Sequence, residues 1–519
     1  MCDATMTATS ASLPIRQLSK LTMLSSLLLT ISRAPFATTA FSPNLLLPTN
    51  CNFSKLFLST TLNFDPSPTI RDKATSTILI GRHAALSSIL SSTDSYVTLF
   101  GFRPPPSIMT SMLHSIKPAG STSSHVEVPT VGPAAPRPPH VMSICSMKDE
   151  VSRNVHPMSL HGYAEAIAGR CPKKGVVHVI CAVEESSLDW CGPIGGAVAR
   201  AFPLFTRKTT GGGDKSLEEL DDGSEEDGGG EEERVVHVTF LDSSGKVVKD
   251  SRQIEAAKAA AEGVRLACRL VELTTTAFAQ ECHNLFQNEP NVSIEEIVGD
   301  ELREKGYGGI YNVGKGAVEE PRLVILTYDP KSTGNSGEAD DDSDDEDCIA
   351  LIGKGIVYDT GGLAIKSKTG MCGMKSDMGG AAGVLGGFLA AVRLQTPRKI
   401  RLLLCLAENA IGPKSVRNDD IITIYSGKTV EINNSDAEGR LVLSDAVAHA
   451  TKHYSDVGLV VDMATLTGAQ LIATGKTHAG ILANTLELER RAVDAGLRSG
   501  DLCYPLVYAP ELLKKVCSA

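Results

Sequence analysis

Two short stretches of the sequence contain eleven charged residues, and seven of these have types and spacing that could support metal-assisted hydrolysis. Residues 351 to 387 read LIGKGIVYDTGGLAIKSKTGMCGMKSDMGGAAGVLGG, and residues 431 to 445 read EINNSDAEGRLVLSD. The candidate residues in these stretches are Lys354, Asp359, Lys366, Asp377, Asp436, Glu438 and Arg440.

Carboxylates held close together repel one another and take up protons unless cations neutralise them. Oxygen ligands without Cys or His suit magnesium, manganese or a zinc site of unusual composition. Two divalent ions about 3.5 to 4 Å apart need a shared carboxylate, which Glu438 or Asp359 could supply. A lysine ligates a metal only as the neutral amine, so one of Lys354 and Lys366 could ligate while the other stays charged.

The alternation of Asp436, Glu438 and Arg440 predicts an extended segment from which all three side chains project on one surface. Each charged residue also has a structural interpretation. Asp377 could complement a helix N-terminus, Asp436 and Arg440 could form a surface ion pair, and the lysines could lie in solvated loops.

The elements that must position these residues alternate between short apolar runs and helical patterns, which indicates α/β layers with mainly parallel sheets covered by helices on both faces. The predicted strands are STILIG (76–81), GVVHVICAV (175–183), VVHVTFL (235–241), RLVILTY (322–328), CIALIG (348–353), IRLLLCLA (400–407) and DVGLVVDMA (456–464).

The segment SRQIEAAKAAAEGVRLACRLVEL, residues 251 to 273, has the strongest helical pattern and lies between the two groups of strands. We predict two α/β domains joined by this helix. The predicted parts are a targeting or disordered leader at 1–72, an N-terminal domain at 73–250 with an acidic insertion at 208–234, the helix at 251–273, and a C-terminal domain at 274–519 with an acidic insertion at 330–347.

The formal net charge of -11 comes from two acidic runs. Residues 211–234 hold 11 of the 61 acidic residues and residues 338–347 hold 8, leaving 42 against 50 Lys and Arg in the rest of the chain. Such Gly-rich, self-repelling runs are typical of solvated insertions.

The first 70 residues are rich in Ser and Thr and contain no acidic residue between Asp3 and Asp65. Together with the apolar run LTMLSSLLLTI (21–31), this composition predicts a targeting leader of the plastid or mitochondrial kind. The run is too short to span a bilayer, so no membrane association is expected. Thirteen scattered cysteines without a C-x-x-C pair favour a reducing compartment.

Three ordered motifs resemble the leucyl aminopeptidase family (cytosol aminopeptidases, peptidase M17) of dinuclear metallopeptidases. NSDAEGRL (434–441) is similar to the family's NTDAEGRL signature, with Ser435 in place of Thr, while GKGIVYDTGGLAIK (353–366) and MKSDMGGAA (374–382) resemble its metal-binding stretches. YSGKTVEINN (425–434) and VDMATLTGAQ (461–470) resemble the probable aminopeptidase-like branch most closely.

The resemblance implies a role for each candidate residue in an aminopeptidase that removes N-terminal residues from peptides with metal-activated water. Two divalent ions, manganese or zinc, would be held by Lys354, Asp359, Asp377, Asp436 and Glu438. Lys366 would polarise the scissile carbonyl, and Arg440 would hold a bicarbonate ion that relays a proton. The resemblance makes residues 274–519 the catalytic domain and implies a cytoplasmic hexamer.

The chain ends soon after VDMATLTGAQLIATG, whereas family members continue through further strands and helices. We therefore expect a catalytic domain truncated at its C-terminus, with an exposed sheet edge and apolar face and with the family's oligomeric state in doubt.

Three other functions are open on the sequence. The truncation favours a catalytically inactive aminopeptidase-like binding protein, although all seven charged positions are filled. Two-metal phosphate hydrolases also use carboxylate-rich sites, but no P-loop motif is present. Nucleic-acid binding is not expected, since the sequence lacks a basic stripe with interleaved aromatic residues.

Overall fold

The computed structural model describes residues 60–64, 74–91, 106–115, 122–128, 140–184, 189–202, 234–330, 348–509 and 511. The first 59 residues of the predicted leader and nearly all of both acidic insertions lie outside these ranges. Of the helices within them, none has the length and apolar character needed to cross a bilayer.

The chain divides into two compact units, and its fold class is α/β as predicted. The described residues of the first unit fall within 34–153 and 157–261, and those of the second unit within 154–156 and 262–519. The division falls inside the helix Ser251–Leu270, which occupies most of the range 251–273. The domain limits proposed from the sequence stay predictions.

The first unit is built on a six-stranded sheet. Its strands are β1 Thr60–Phe64, β2 Ser76–Arg82, β3 Thr122–Val128, β4 His140–Met147, β5 Gly175–Ala182 and β6 Arg234–Leu241. Their order is β1-β6-β5-β2-β4-β3, and every pair is parallel except β3 with β4. The helices are α1 His83–Ser91, α2 Pro106–Ser115, α3 Tyr163–Ala168, α4 Cys191–Arg200 and the first part of α5 Ser251–Leu270, with a 3-10 turn at Leu160–Gly162.

Strand β1 lies within residues 1–72, the range that the sequence assigned to a leader or disordered segment. It pairs in parallel with β6, and the ring of Phe64 stacks on that of Phe240 with centroids 6.2 Å apart. This pairing and ring contact hold the five residues in the folded unit.

The second unit contains a five-stranded mixed sheet and two small two-stranded sheets. The larger sheet has the order β13-β9-β10-β8-β7, in which the first two pairings are parallel and the other two antiparallel. The strands are β7 Val292–Val298, β8 Arg322–Tyr328, β9 Cys348–Asp359, β10 Ile400–Asn409, β11 Ile421–Thr423, β12 Thr429–Glu431, β13 Val457–Met463, β14 Ala479–Ile481 and β15 Cys503–Pro505.

The helices of this unit cover both faces of the larger sheet. Leu402 and Leu404 of β10 belong to one apolar cluster, and Leu403 and Cys405 belong to another, because alternate residues of a strand face opposite sides. The helices are the rest of α5, then α6 Thr275–Phe286, α7 Asp300–Glu304, α8 Gly308–Gly314, α9 Lys368–Met371, α10 Gly379–Arg393, α11 Gly439–His453, α12 Gly468–Thr474 and α13 Leu486–Ser499, with a 3-10 turn at Met374–Ser376.

His449 of α11 lies buried between two tyrosine hydroxyls. Its Nδ1 is 2.7 Å from Tyr307 Oη, and its Nε2 is 3.1 Å from Tyr454 Oη. Burial, with a smaller contribution from the neighbouring His453, lowers the pKa of His449 to about 4. The imidazole is therefore neutral in the folded protein at pH values where it is protonated in the unfolded chain.

This shift predicts that the protein loses stability as the pH falls from about 6.5 to 4, where the unfolded chain binds the extra proton. The His449→Gln variant should show a weaker decrease in the free energy of unfolding over that window, measured by urea denaturation between pH 4 and 8. His161→Gln, an exposed position in the first unit, is the control. Equal pH dependence in His449→Gln and the unaltered chain would contradict the assignment.

Candidate metal centre

The candidate site lies at the carboxyl ends of the parallel strands β9, β10 and β13, the usual position for ligand sites in open α/β sheets. All seven charged residues named from the sequence belong to the second unit. Lys354 and Asp359 both lie on β9, which is buried between β13 and β10.

A β-bulge brings Lys354 and Asp359 to the same face of the sheet. The two residues are five positions apart, so a regular strand would place their side chains on opposite faces. In the observed register, Ile356 pairs with Ala407 but Asp359 pairs with Asn409, three steps along β9 against two along β10. The extra residue in β9 re-aims Asp359 toward Lys354, as bulges commonly do near functional sites.

A tight turn after β9 returns the chain so that Lys366 faces Asp359. Gly361 and Gly362 have φ angles of 84° and 61°, in the left-handed region that favours glycine. A Cβ on Gly362 would lie 2.9 Å from Asn409 Oδ1 and 3.0 Å from Ser435 Oγ. The Lys366 N–H then donates to the Thr360 carbonyl at 2.9 Å, which closes the loop.

Asp377 is supplied by a 3-10 turn two residues before α10, whose first residue is Gly379. Asp377 is 6% exposed and lies just before the N-terminus of α10. Lys354 is only 2% exposed, which excludes the interpretation as a solvated loop lysine.

The prediction of an extended segment at Asp436, Glu438 and Arg440 is wrong. The Asp436 N–H donates to Asn434 Oδ1 at 2.9 Å and the Ala437 N–H donates to the Asn434 carbonyl at 3.1 Å, which folds this segment into a turn. Asp436 and Glu438 nevertheless come together through that turn. Arg440 lies in the first turn of α11.

Two lysines are interleaved with four carboxylates in the cluster. Lys354 Nζ lies 2.9 Å from Asp377 Oδ2 and 2.8 Å from Glu438 Oε1. Lys366 Nζ lies 2.8 Å from Asp359 Oδ2 and 2.5 Å from Asp436 Oδ1. Asp436 therefore pairs with Lys366.

Burial and the ion pairs act on the pKa values in opposite directions. Burial raises the pKa of Glu438 to about 7 and that of Asp377 to about 6, although Lys354 opposes both shifts. Burial disfavours the Lys354 ammonium, but Glu438 and Asp377 outweigh it and raise the pKa of Lys354 above its ordinary value. A divalent ion among these groups would lower the pKa values of Glu438, Asp377 and Lys354, because added positive charge favours the ionised carboxylates and the neutral amine.

The donor set fits a divalent cation. Asp359, Asp436 and Glu438 each offer an oxygen, and the three oxygens lie within 4.8 Å of one another. The buried Glu438 Oε2 has no hydrogen-bond partner among the described residues, and Asp377 Oδ2 receives no hydrogen bond of good geometry despite the nearby Lys354. Buried carboxylate oxygens without donors are expected where a metal ion is the intended partner.

Three neutral residues of the site were not recognised as functional from the sequence. Asn409 Nδ2 donates to Asp359 Oδ1 at 2.8 Å, and Thr465 Oγ1 donates to Asp377 Oδ1 at 2.7 Å. Ser435 Oγ donates to the Gly361 carbonyl at 2.9 Å and accepts from the Ala364 N–H at 2.8 Å. The serine thus joins the Asp436 turn to the Lys366 loop without the methyl group of the family's threonine.

The α/β fold and this cluster of carboxylates and lysines define a candidate divalent-metal centre. Residues 266–519 match the model of the catalytic domain of the cytosol aminopeptidase family. The structure of leucyl aminopeptidase from Trypanosoma brucei in complex with bestatin aligns with a TM-score of 0.70 and 34% identity, over 87% of this chain and 81% of that chain. The chain belongs to the cytosol aminopeptidase family, which confirms the resemblance found in the sequence.

Two further relatives are similar to parts of this chain. The probable aminopeptidase NPEPL1 of Mus musculus is 42% identical over 383 residues, which are 71% of this chain and 66% of that protein. Leucine aminopeptidase 1 of Caenorhabditis elegans is 44% identical over 257 residues, 48% of this chain and 49% of that protein. The chain thus spans just under two thirds of the first relative and about half of the second.

Proposed function

We propose that the protein is an aminopeptidase that uses two divalent metal ions to release N-terminal residues from peptides. The observation that carries the proposal is the convergence of Lys354, Asp359, Asp377, Asp436 and Glu438, with Lys366 beside them. Manganese and zinc are the candidate ions. When bound, such ions polarise a peptide carbonyl and lower the pKa of water.

Lys366 is the candidate group for stabilising the oxyanion. Its side chain is 17% exposed, whereas that of Lys354 is 2% exposed, so Lys366 is the lysine that a substrate can reach. Its ion pairs with Asp359 and Asp436 raise its pKa above the ordinary value despite partial burial. A fixed positive charge at the reacting carbonyl stabilises the transition state more than the substrate.

Arg440 is the candidate holder of a bicarbonate ion that accepts the proton of the attacking water. Neither of the two site stretches contains a histidine, and the carboxylates of the cluster are assigned to metal. A guanidinium binds a planar oxyanion through paired hydrogen bonds, which makes Arg440 suited to this role. Assembly into a homo-oligomer is part of the same proposal and rests on the family alone.

The proposal predicts that the full chain releases the fluorophore from a leucine amide with Mn²⁺, loses this activity with a chelator, and regains it when Mn²⁺ is restored. The same substrate acetylated on its α-amine should not be cleaved, since an aminopeptidase requires the free N-terminus. Fluorescence under steady-state conditions is the measurement. A folded chain that binds Mn²⁺ but shows no turnover would favour the inactive binding protein.

A further inference from the structure

The two oxygens of Asp359 have different surroundings. Oδ1 accepts hydrogen bonds from Asn409 Nδ2 at 2.8 Å and from the Gly361 N–H at 2.9 Å. Oδ2 faces the ammonium of Lys366 at 2.8 Å. Asn409 is 2% exposed, and its Nδ2 also donates to the Ser435 carbonyl at 3.0 Å, so two bonds fix the amide.

Asp377 repeats this arrangement on the other side of the cluster. Its Oδ1 accepts from Thr465 Oγ1 at 2.7 Å, while Oδ2 faces Lys354 Nζ at 2.9 Å. The same threonine also meets Lys354 directly, because its backbone carbonyl accepts from Lys354 Nζ at 3.0 Å. Thr465 therefore contacts both members of the Asp377–Lys354 pair.

We propose that Asn409 and Thr465 are positioning residues, each of which holds one oxygen of an aspartate and so presents the other oxygen to a bound cation. The inference rests on the proposed two-metal function and extends it to two neutral side chains. The rotation of a carboxylate about its last bond is broad and nearly two-fold, so the chain itself does not select an oxygen. A neutral donor on one oxygen makes the selection without adding charge to the site.

The two positioning residues serve different parts of the cluster. Asn409 acts on Asp359, which belongs with Asp436 and Glu438 to the group whose oxygens lie within 4.8 Å of one another. Thr465 acts on Asp377, which lies outside that group and pairs with Lys354. Loss of one positioning residue should therefore weaken one metal ion more than the other.

The test is a titration of the full chain with Mn²⁺. Binding is monitored by calorimetry and by the electron paramagnetic resonance signal of free Mn²⁺. Thr465→Val removes the hydroxyl at nearly constant shape, and Thr465→Ser retains it. We expect Thr465→Val to bind one equivalent normally and the other about 10- to 100-fold more weakly, the effect typical of groups that orient metal ligands. Thr465→Ser should bind both equivalents nearly as the unaltered chain does.

A second pair of variants separates the two ions. Asp377→Asn should lose the equivalent that Thr465→Val weakens, so adding Thr465→Val to it should change nothing further. Adding Asn409→Leu to Asp377→Asn should weaken the remaining equivalent about tenfold or more. Thr451→Val is the matched control, because Thr451 is exposed and its hydroxyl bonds only to carbonyls of its own helix.

Thermal unfolding with chelator present distinguishes positioning from a purely structural role. If Thr465→Val lowered the melting temperature but still bound two Mn²⁺ equivalents with normal affinity, the inference would be overturned. The proposed function would remain intact. An unaltered, folded chain that binds no Mn²⁺ would overturn the proposed function together with the inference.

Discussion

Replacement of Glu438 by Gln is expected to reduce leucine amide turnover at least about 1,000-fold, as the loss of a group central to catalysis typically does. The side chain is 2% exposed and lies with Asp359 and Asp436 in the carboxylate group. Gln has nearly the same shape but lacks the charge, and its amide nitrogen cannot serve as an oxygen ligand. We expect the variant to fold and to lose high-affinity Mn²⁺ binding.

The measurement is steady-state turnover at saturating Mn²⁺, with binding followed separately by calorimetry. Glu431→Gln is the matched control, since Glu431 is exposed on β12 seven residues earlier and touches none of the cluster in the described structure. If Glu438→Gln kept more than about a tenth of the activity, the assignment of Glu438 as a metal ligand would have to be abandoned.

The second large effect is expected at Lys366, whose replacement by Ala should lower kcat about 100- to 1,000-fold, the usual cost of removing one oxyanion donor. Mn²⁺ binding should persist or strengthen, because the ammonium pairs with Asp359 and Asp436 and competes with a metal ion for both carboxylates. This combination separates Lys366→Ala from Glu438→Gln, in which binding and turnover fall together.

Lys368→Ala provides the control for this variant, since Lys368 is exposed two residues later at the start of α9. A large rise in KM with unchanged kcat would assign Lys366 to substrate binding and contradict the transition-state role.

Apolar runs bounded by Gly, Pro and acidic residues predicted seven of the eleven strands in the two large sheets and missed β1, β3, β4 and β7. Strand β9 was predicted because CIALIG is apolar on both faces, as befits a strand covered by helices on both sides. Strand β7 was not predicted, since VSIEEIV mixes two glutamates into an edge strand whose exposed positions need no apolar residue. The same limit applies to the short edge strand Thr60–Phe64.

The seven charged positions were found from the sequence, but their geometry was not. Spacing alone places Lys354 and Asp359 on opposite faces, and only the bulge opposite Asn409 brings them together. Bulge formation depends on pairing with a strand some 50 residues away, which local patterns do not encode. The turn at Asp436 was missed for a simpler reason, since the Asx turn of Asn434 was not considered.

Asn409 and Thr465 could not be recognised because each is a single neutral residue at the end of an apolar strand. Their partners lie 50 and 88 residues away along the chain. Charged residues are conspicuous in such positions because burying them requires compensation, whereas an amide or hydroxyl needs only one hydrogen-bond partner.

Every charged residue of the candidate site comes from the second unit. Natural selection on the candidate site therefore acts on residues of the second unit. Substitutions at these seven charged positions should accumulate more slowly than elsewhere in the chain as lineages separate.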